Sequence, residues 1–214
     1  MNRCEAAIIQ MKKEKYELLC KQVESLIAGE TNMVGVLANV SAAMKTMFPQ
    51  EFFWVGFYIS CPAPTGQGSK ALRAFNAASH GSNGSSPTPT LPSREGVVSP
   101  TGGEGVLLLG PFQGTVACYE IPYGKGVCGT AWKERRTLVV PDVEEFPGHI
   151  ACSTLSRSEI VVPMFLPDEE EEDGNGEVWG VIDIDSTELG TFDDVDAEYL
   201  ERIAEILSQH MAEV

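Results

Sequence analysis

The chain has 214 residues, 43% of them hydrophobic, which suits one domain with a substantial core, or one domain carrying a large insertion. Its formal charge is −16, from 31 acidic and 15 basic residues, which disfavours a nucleic-acid partner because phosphate binding needs a basic face. No apolar run approaches the ~20 residues of a membrane span, and MNRCEAAIIQMKKEKYELL lacks the unbroken apolar stretch of a signal peptide. The expectation is a soluble, cytoplasmic protein.

Over residues 5–28, Tyr16, Leu19, Val23, Leu26 and Ile27 recur at helical spacing, predicting a helix that stops at Gly29. A second helix follows GETN, with Leu37, Val40, Met44 and Met47 as its apolar stripe and Thr31 or Asn32 as its cap. FFWVGFYIS (52–60) is aromatic and β-branched, hence a strand. Alternation sends Phe53, Val55, Phe57 and Ile59 to one side and Trp54, Gly56 and Tyr58 to the other, the glycine leaving a gap between two aromatics. From Cys61 to Glu104 the chain is rich in Pro, Gly, Ser and Thr and has no period. It reads as a disordered insertion in a single domain spanning 1–214, with His80 a solvated residue within it.

Order resumes with strands at 105–112, 116–124 and 136–143, and GKGVCGTAWKER between the last two reads as a Gly-rich turn entering a short helix. SEIVVPMFL (158–166) and EVWGVIDIDS (177–186) are neighbouring strands. They are joined by PDEEEEDGNGE, whose seven carboxylates form a solvated tip without a calcium-binding pattern. TFDDVDAEYLERIAEILSQHM closes the chain as a helix burying Leu200, Ile203, Leu207 and Met211, with His210 on the surface of its last turn. Hairpin-like connections dominate, so the predicted class is α+β: a central, mainly antiparallel sheet of about six strands with helices packed on one face.

Six cysteines in a chain of this size do not make a disulfide scaffold; in a reducing compartment they are free, metal-binding or redox-active. Three lie within 35 residues: Cys118 in a predicted strand, Cys128 at the mouth of the short helix, and Cys152 in the polar loop PGHIACSTLSRSE. Lys125 and the exposed N–H groups of the helix start would favour a Cys128 thiolate, while His149 and Arg157 would lower the pKa of Cys152. Two chemistries fit the set. One is thiol attack resolved by a second cysteine; the other is a zinc site of three cysteines with His149. Zinc ligands come in close C-x₂₋₄-C pairs, and Cys118 and Cys128 stand ten apart, so no metal is expected.

In VIDIDS the period of two puts Asp183 and Asp185 on one face and Ile182 and Ile184 on the other. The carboxylates either face water or line a pocket, where Glu159 could join them. In a pocket, mutual repulsion raises one pKa and sets a proton donor beside an anionic acceptor able to hold an ammonium group. A sulfoxide substrate would connect the parts. A thiol attacks sulfur, an acid protonates the oxygen, and the resulting sulfenic acid condenses with a partner cysteine. Trp54 and Tyr58 would wall the methylthio group.

WVGFY, LLGPFQG, VAC, GKGVCGTA, VPDV, FPGHIAC, SRSEIVVP and GVIDIDS occur in the order found in the free methionine-(R)-sulfoxide reductase family, which the chain resembles outside 61–104. That family has a GAF fold. The resemblance implies that Cys118, Cys128 and Cys152 are its redox cysteines. It likewise implies that Glu159, Asp183 and Asp185 bind substrate and that Trp54 and Tyr58 line the pocket. It also implies recycling by thioredoxin, no cofactor of its own, and a homodimer. Within that reading Cys152 is taken as the nucleophile and Cys118 as its resolver, because the Cys152 loop leads into Glu159; Cys128 competes on the helix-terminus argument. The chain departs from the family in its long insertion, its acidic tip and Ser153 after the cysteine. The alternative is a non-catalytic GAF sensor of ligand or redox state.

Overall fold

Two helices lead the chain, α1 (Arg3–Ile27) and α2 (Met33–Met47), the second capped by the Asn32 side chain accepting from the Gly35 N–H at 3.2 Å. The structure, a computed structural model, describes residues 3–61, 105–150, 152–168 and 175–214. Next come β1 (Trp54–Cys61), β2 (Val106–Gln113), β3 (Glu120–Pro122), α3 (Gly126–Glu134) and β4 (Leu138–Val140). A 3₁₀ turn at Val143–Glu145 precedes β5 (Ser158–Pro167), β6 (Asn175–Ser186) and α4 (Asp194–Glu213). The six strands form one sheet in the order β3-β2-β1-β6-β5-β4, every pair antiparallel. The expected insertion with His80, apart from Cys61 in β1, and the acidic tip at 169–174 lie outside the described residues.

One face of the sheet meets the three long helices. Val55, Phe57 and Ile59 of β1, Ile160, Val162 and Met164 of β5, and Ile182 and Ile184 of β6 pack with the buried sides of α1, α2 and α4. The Tyr16 hydroxyl donates to Asp196 at 2.7 Å inside this layer, and Asp196 belongs to the capping box that starts α4. On the opposite face, Trp54, Tyr58, Leu107, Ile121, Val161 and Val181 pack with Val127, Cys128, Ala131 and Trp132 of α3. The long helices therefore share one face as expected, and the short helix stands on the other with the chemistry-bearing side chains.

Three local expectations change. Phe53 packs on the α3 side and not with Val55, because it precedes β1 and the strand's alternation does not govern it. Cys118 lies in a loop: only Glu120–Pro122 pairs as β3. The indole N–H of Trp54 donates to the Thr115 carbonyl (3.0 Å) and the Tyr58 hydroxyl to the Cys118 carbonyl (3.1 Å), so side chains hold the backbone that a strand partner would have held. His210 is buried, with Nε2 lacking a hydrogen-bond partner, because α4 stays packed through Met211 to its last turn.

The gap expected at Gly56 is closed. A Cβ there would lie 2.4 Å from Phe112 Cβ and 2.5 Å from the Trp54 ring, which leans over the glycine to stack on Phe112 at 5.3 Å. Gly56→Ala should therefore cost about 1–3 kcal/mol through overpacking. The check is a lowered thermal midpoint with altered tryptophan fluorescence; an unchanged midpoint would mean that Trp54 moves aside freely.

Candidate active site

The site is built where strand alternation and one short helix converge. In β6, Asp183 stands opposite Gly56 of β1 and Val161 of β5, while Asp185 stands opposite Trp54 and Glu159. All three acidic side chains thus rise from the α3 face of the sheet, where Glu159 and Asp183 are buried and Asp185 is half-buried. Helix α3 can come this close because Gly129 has no side chain: a Cβ there would sit 2.3 Å from the Pro122 carbonyl oxygen. Cys128, in the first turn of α3, consequently points into the acids, its Sγ 3.8 Å from Glu159 Oε1.

A small cavity remains, lined by Cys128, His149, Cys152, Ser156, Glu159, Asp183 and Asp185, with Ile121, Gly126, Val127 and Ile150 completing the wall. Of the two readings of the aspartates, the pocket holds: Asp183 and Glu159 are each 6% exposed, and Asp183 Oδ1 has no hydrogen-bond partner. Burial, then the neighbouring acids, pushes the Glu159 carboxyl well above its ordinary range. Burial and Asp185 do the same to Asp183. Burial takes Asp185 up to about 6, against the pull of a hydrogen bond from Ser156.

The cysteines divide into a pair and a single. Cys118 and Cys152, 34 residues apart in sequence, are joined by a disulfide with a Cα–Cα distance of 5.3 Å. Cys152 lines the cavity, whereas Cys118 sits outside its lining. Cys128 is a free, buried thiol. The expected thiolate at Cys128 is overturned: burial, Asp183 and Glu159 raise its pKa, outweighing a helix N-terminus whose Lys125 is exposed and makes no side-chain cap. The zinc set of three cysteines with His149, disfavoured by its spacing, is not assembled here, since two of the sulfurs are bonded to each other.

His149 does reach the site, Nε2 lying 4.0 Å from Glu159 Oε2, but burial lowers its pKa, so near neutrality it stands as an uncharged ring. Arg157 is exposed and outside the cavity lining. Trp54 and Tyr58, with ring centroids 6.1 Å apart, occupy the same face as the acids. Tyr58 is close enough that, after burial, the charges of Asp183, Cys128, Asp185 and Glu159 raise its pKa. Sequence reasoning missed Ser156 and Phe112. Phe112 stands in the LLGPFQG motif and Ser156 opens SRSEIVVP, but only the tertiary structure puts Phe112 over Gly56 and Ser156 in the cavity lining.

A six-stranded antiparallel sheet flanked by helices is consistent with a GAF domain, and the GAF family model matches residues 72–211. A Dictyostelium discoideum GAF domain-containing protein A is 41% identical over 92% of each chain. The Saccharomyces cerevisiae free methionine-R-sulfoxide reductase is 35% identical over 92% of this chain and 86% of its own. The Neisseria meningitidis free methionine-R-sulfoxide reductase, solved with its substrate, is 38% identical at a TM-score of 0.65, covering 92% of this chain and 90% of that one. The chain belongs to the free methionine-R-sulfoxide reductase family of GAF domains, a family of oxidoreductases.

Proposed function

We propose that the protein reduces free L-methionine (R)-sulfoxide to methionine, with the whole chain forming one catalytic domain and thioredoxin restoring its thiols. The observation that carries this is the Cys118–Cys152 disulfide at the edge of a cavity lined by the buried carboxyl groups of Glu159 and Asp183 and the half-buried one of Asp185. Cys152 is taken as the nucleophile because it lines the cavity and is bonded to Cys118, the resolver outside it, whereas Cys128, also in the lining, is held as a protonated thiol. The Cys152 sulfur attacks the sulfoxide sulfur, and a neutral buried carboxyl, Glu159 or Asp183, protonates the oxygen as the S–O bond breaks. The hydroxyl so formed passes from the substrate sulfur to the Cys152 sulfur as the transient bond between the two sulfurs breaks, so methionine leaves and Cys152 becomes a sulfenic acid. The Cys118 thiol condenses with it, releasing water and forming the disulfide, which a dithiol then reduces.

Substrate capture follows from the same side chains. The unpartnered Asp183 Oδ1 suits an α-ammonium group, with Asp185 and Glu159 completing the acidic end and Trp54 and Tyr58 walling the apolar one. Cys128, held as a thiol, takes no part in the first disulfide and serves as a reserve thiol. Among the described residues no helix is long and apolar enough to cross a membrane, and a cytoplasmic setting would supply the reductant.

The test is NADPH consumption with thioredoxin and thioredoxin reductase, comparing free (R)-sulfoxide, the (S) epimer and an N-blocked (R) form. Turnover confined to the free (R) epimer is expected. Equal turnover of the blocked form would remove the ammonium-binding role from the acids. Silence on all three, with thiols shown to be reduced, would leave a redox sensor.

A further inference from the structure

We infer that the cavity contains a binding site for one zinc-type divalent cation, formed by Cys128, Glu159 and Asp183 with His149, 4.0 Å from Glu159, in reach as a fourth donor, and that this site exists while the Cys118–Cys152 disulfide is closed. The Cys128 sulfur and one oxygen from each acid lie within 4.8 Å of one another, and all three residues are buried. Zinc–sulfur and zinc–oxygen bonds of about 2.3 and 2.1 Å, at tetrahedral angles, place the two ligand atoms about 3.6 Å apart. The observed Sγ to Oε1 separation is 3.8 Å. Three ligands converge with no regular spacing between them in sequence, because a helix and two strands each supply one.

An acidic cluster alone would not define such a site. The second observation is Asp183 Oδ1, in a side chain 6% exposed and lining the cavity, with no hydrogen-bond partner. A buried acceptor left unpaired costs about 1–3 kcal/mol, which a cation would relieve. The donor set then selects the cation: one thiol and two carboxylates, with an imidazole 4.0 Å from Glu159, suit borderline zinc, cobalt or cadmium over magnesium and calcium, which take oxygen ligands alone. Binding releases the thiol proton and leaves a metal-bound thiolate, so no oxidant or reductant is involved. Cys118 and Cys152 contribute nothing, which separates this set from a three-cysteine zinc site.

The site overlaps the place assigned above to the substrate ammonium, so cation and sulfoxide should exclude one another; that consequence, but not the cation site, rests on the proposed function. The experiment uses the full chain with its disulfide closed, titrated with cobalt(II) and followed by thiolate-to-cobalt charge-transfer absorption. One equivalent should produce the band and zinc should displace it. Cys128→Ser should abolish the band. Asp183→Asn should weaken affinity at least about tenfold. A combined Cys4→Ser, Cys20→Ser, Cys61→Ser variant should change nothing, and circular dichroism with a thiol count confirms that each variant folds with its disulfide. No band, or a band that survives Cys128→Ser, overturns the site. Added methionine sulfoxide should raise the apparent cobalt Kd; a band indifferent to it would count against the substrate placement and leave the cation site standing.

Discussion

Cys152→Ser is expected to abolish sulfoxide turnover, by at least about a thousandfold, and to leave Cys118 as a free thiol. The loss is large because the nucleophile begins the reaction; carboxyls and aromatic walls without it only bind. Cys118→Ser should behave differently. Its Cys152 can still attack once, so one methionine forms per enzyme before a sulfenic acid accumulates, visible by mass spectrometry as one added oxygen. Cys128→Ser should lose far less and still close the disulfide, because burial beside Asp183 and Glu159 keeps that thiol protonated. A Cys128→Ser variant that is dead while Cys152→Ser turns over would reverse the assignment of the nucleophile.

The second large effect is on stability, and its sign opposes activity. Asp185 has an ordinary value of 3.8 and is taken up to about 6 in the folded protein, mainly by burial. A carboxyl with a raised folded pKa holds its proton longer in the native state than in the unfolded chain. Its contribution is fully present below pH 4 and is lost as pH rises through about 6. The shift is equivalent to about 3 kcal/mol of folding free energy at most. Asp185→Asn should therefore flatten the fall in stability between pH 4 and 6 and raise the thermal midpoint at pH 7–8, while turnover drops. Glu159 and Asp183 are shifted in the same direction and extend the loss to higher pH. Denaturant unfolding at a series of pH values checks this; an Asp185→Asn midpoint below that of the parent at pH 8 would show that the carboxylate is stabilised by a partner instead.

Such a trade is physically natural for this site. Glu159 and Asp185 are directly opposite on paired strands, and like charges in that relation repel. A fold selected for stability alone would not bury them together. In the proposed reaction, repulsion and burial would keep a proton available in the cavity that Cys152 lines.

Much of the framework is legible in the sequence, because it depends on local periodicity. The helical stripe of Tyr16, Leu19 and Val23, the alternation of VIDIDS, and the short links that pair β2 with β3 and β5 with β6 all follow from neighbours in the chain. The period of two puts Asp183 and Asp185 on one face, but it is silent on whether that face meets water. Docking of α3 decides this, and it needs Gly129 to let a helix approach β3. The Cys118–Cys152 bond spans 34 residues and the Cys128–Glu159 contact 31, distances over which no sequence period operates. For the same reason the helix-start argument failed for Cys128. The N-terminus of α3 is present, but the carboxyls that reverse its effect come from other strands. The residue types and their order made the fold class and the candidate reacting groups legible. Tertiary packing decided the rest, because the loop held by Trp54 and Tyr58 meets Cys152 through Cys118, while α3 on the sheet keeps Cys128 a thiol beside the buried Glu159 and Asp183.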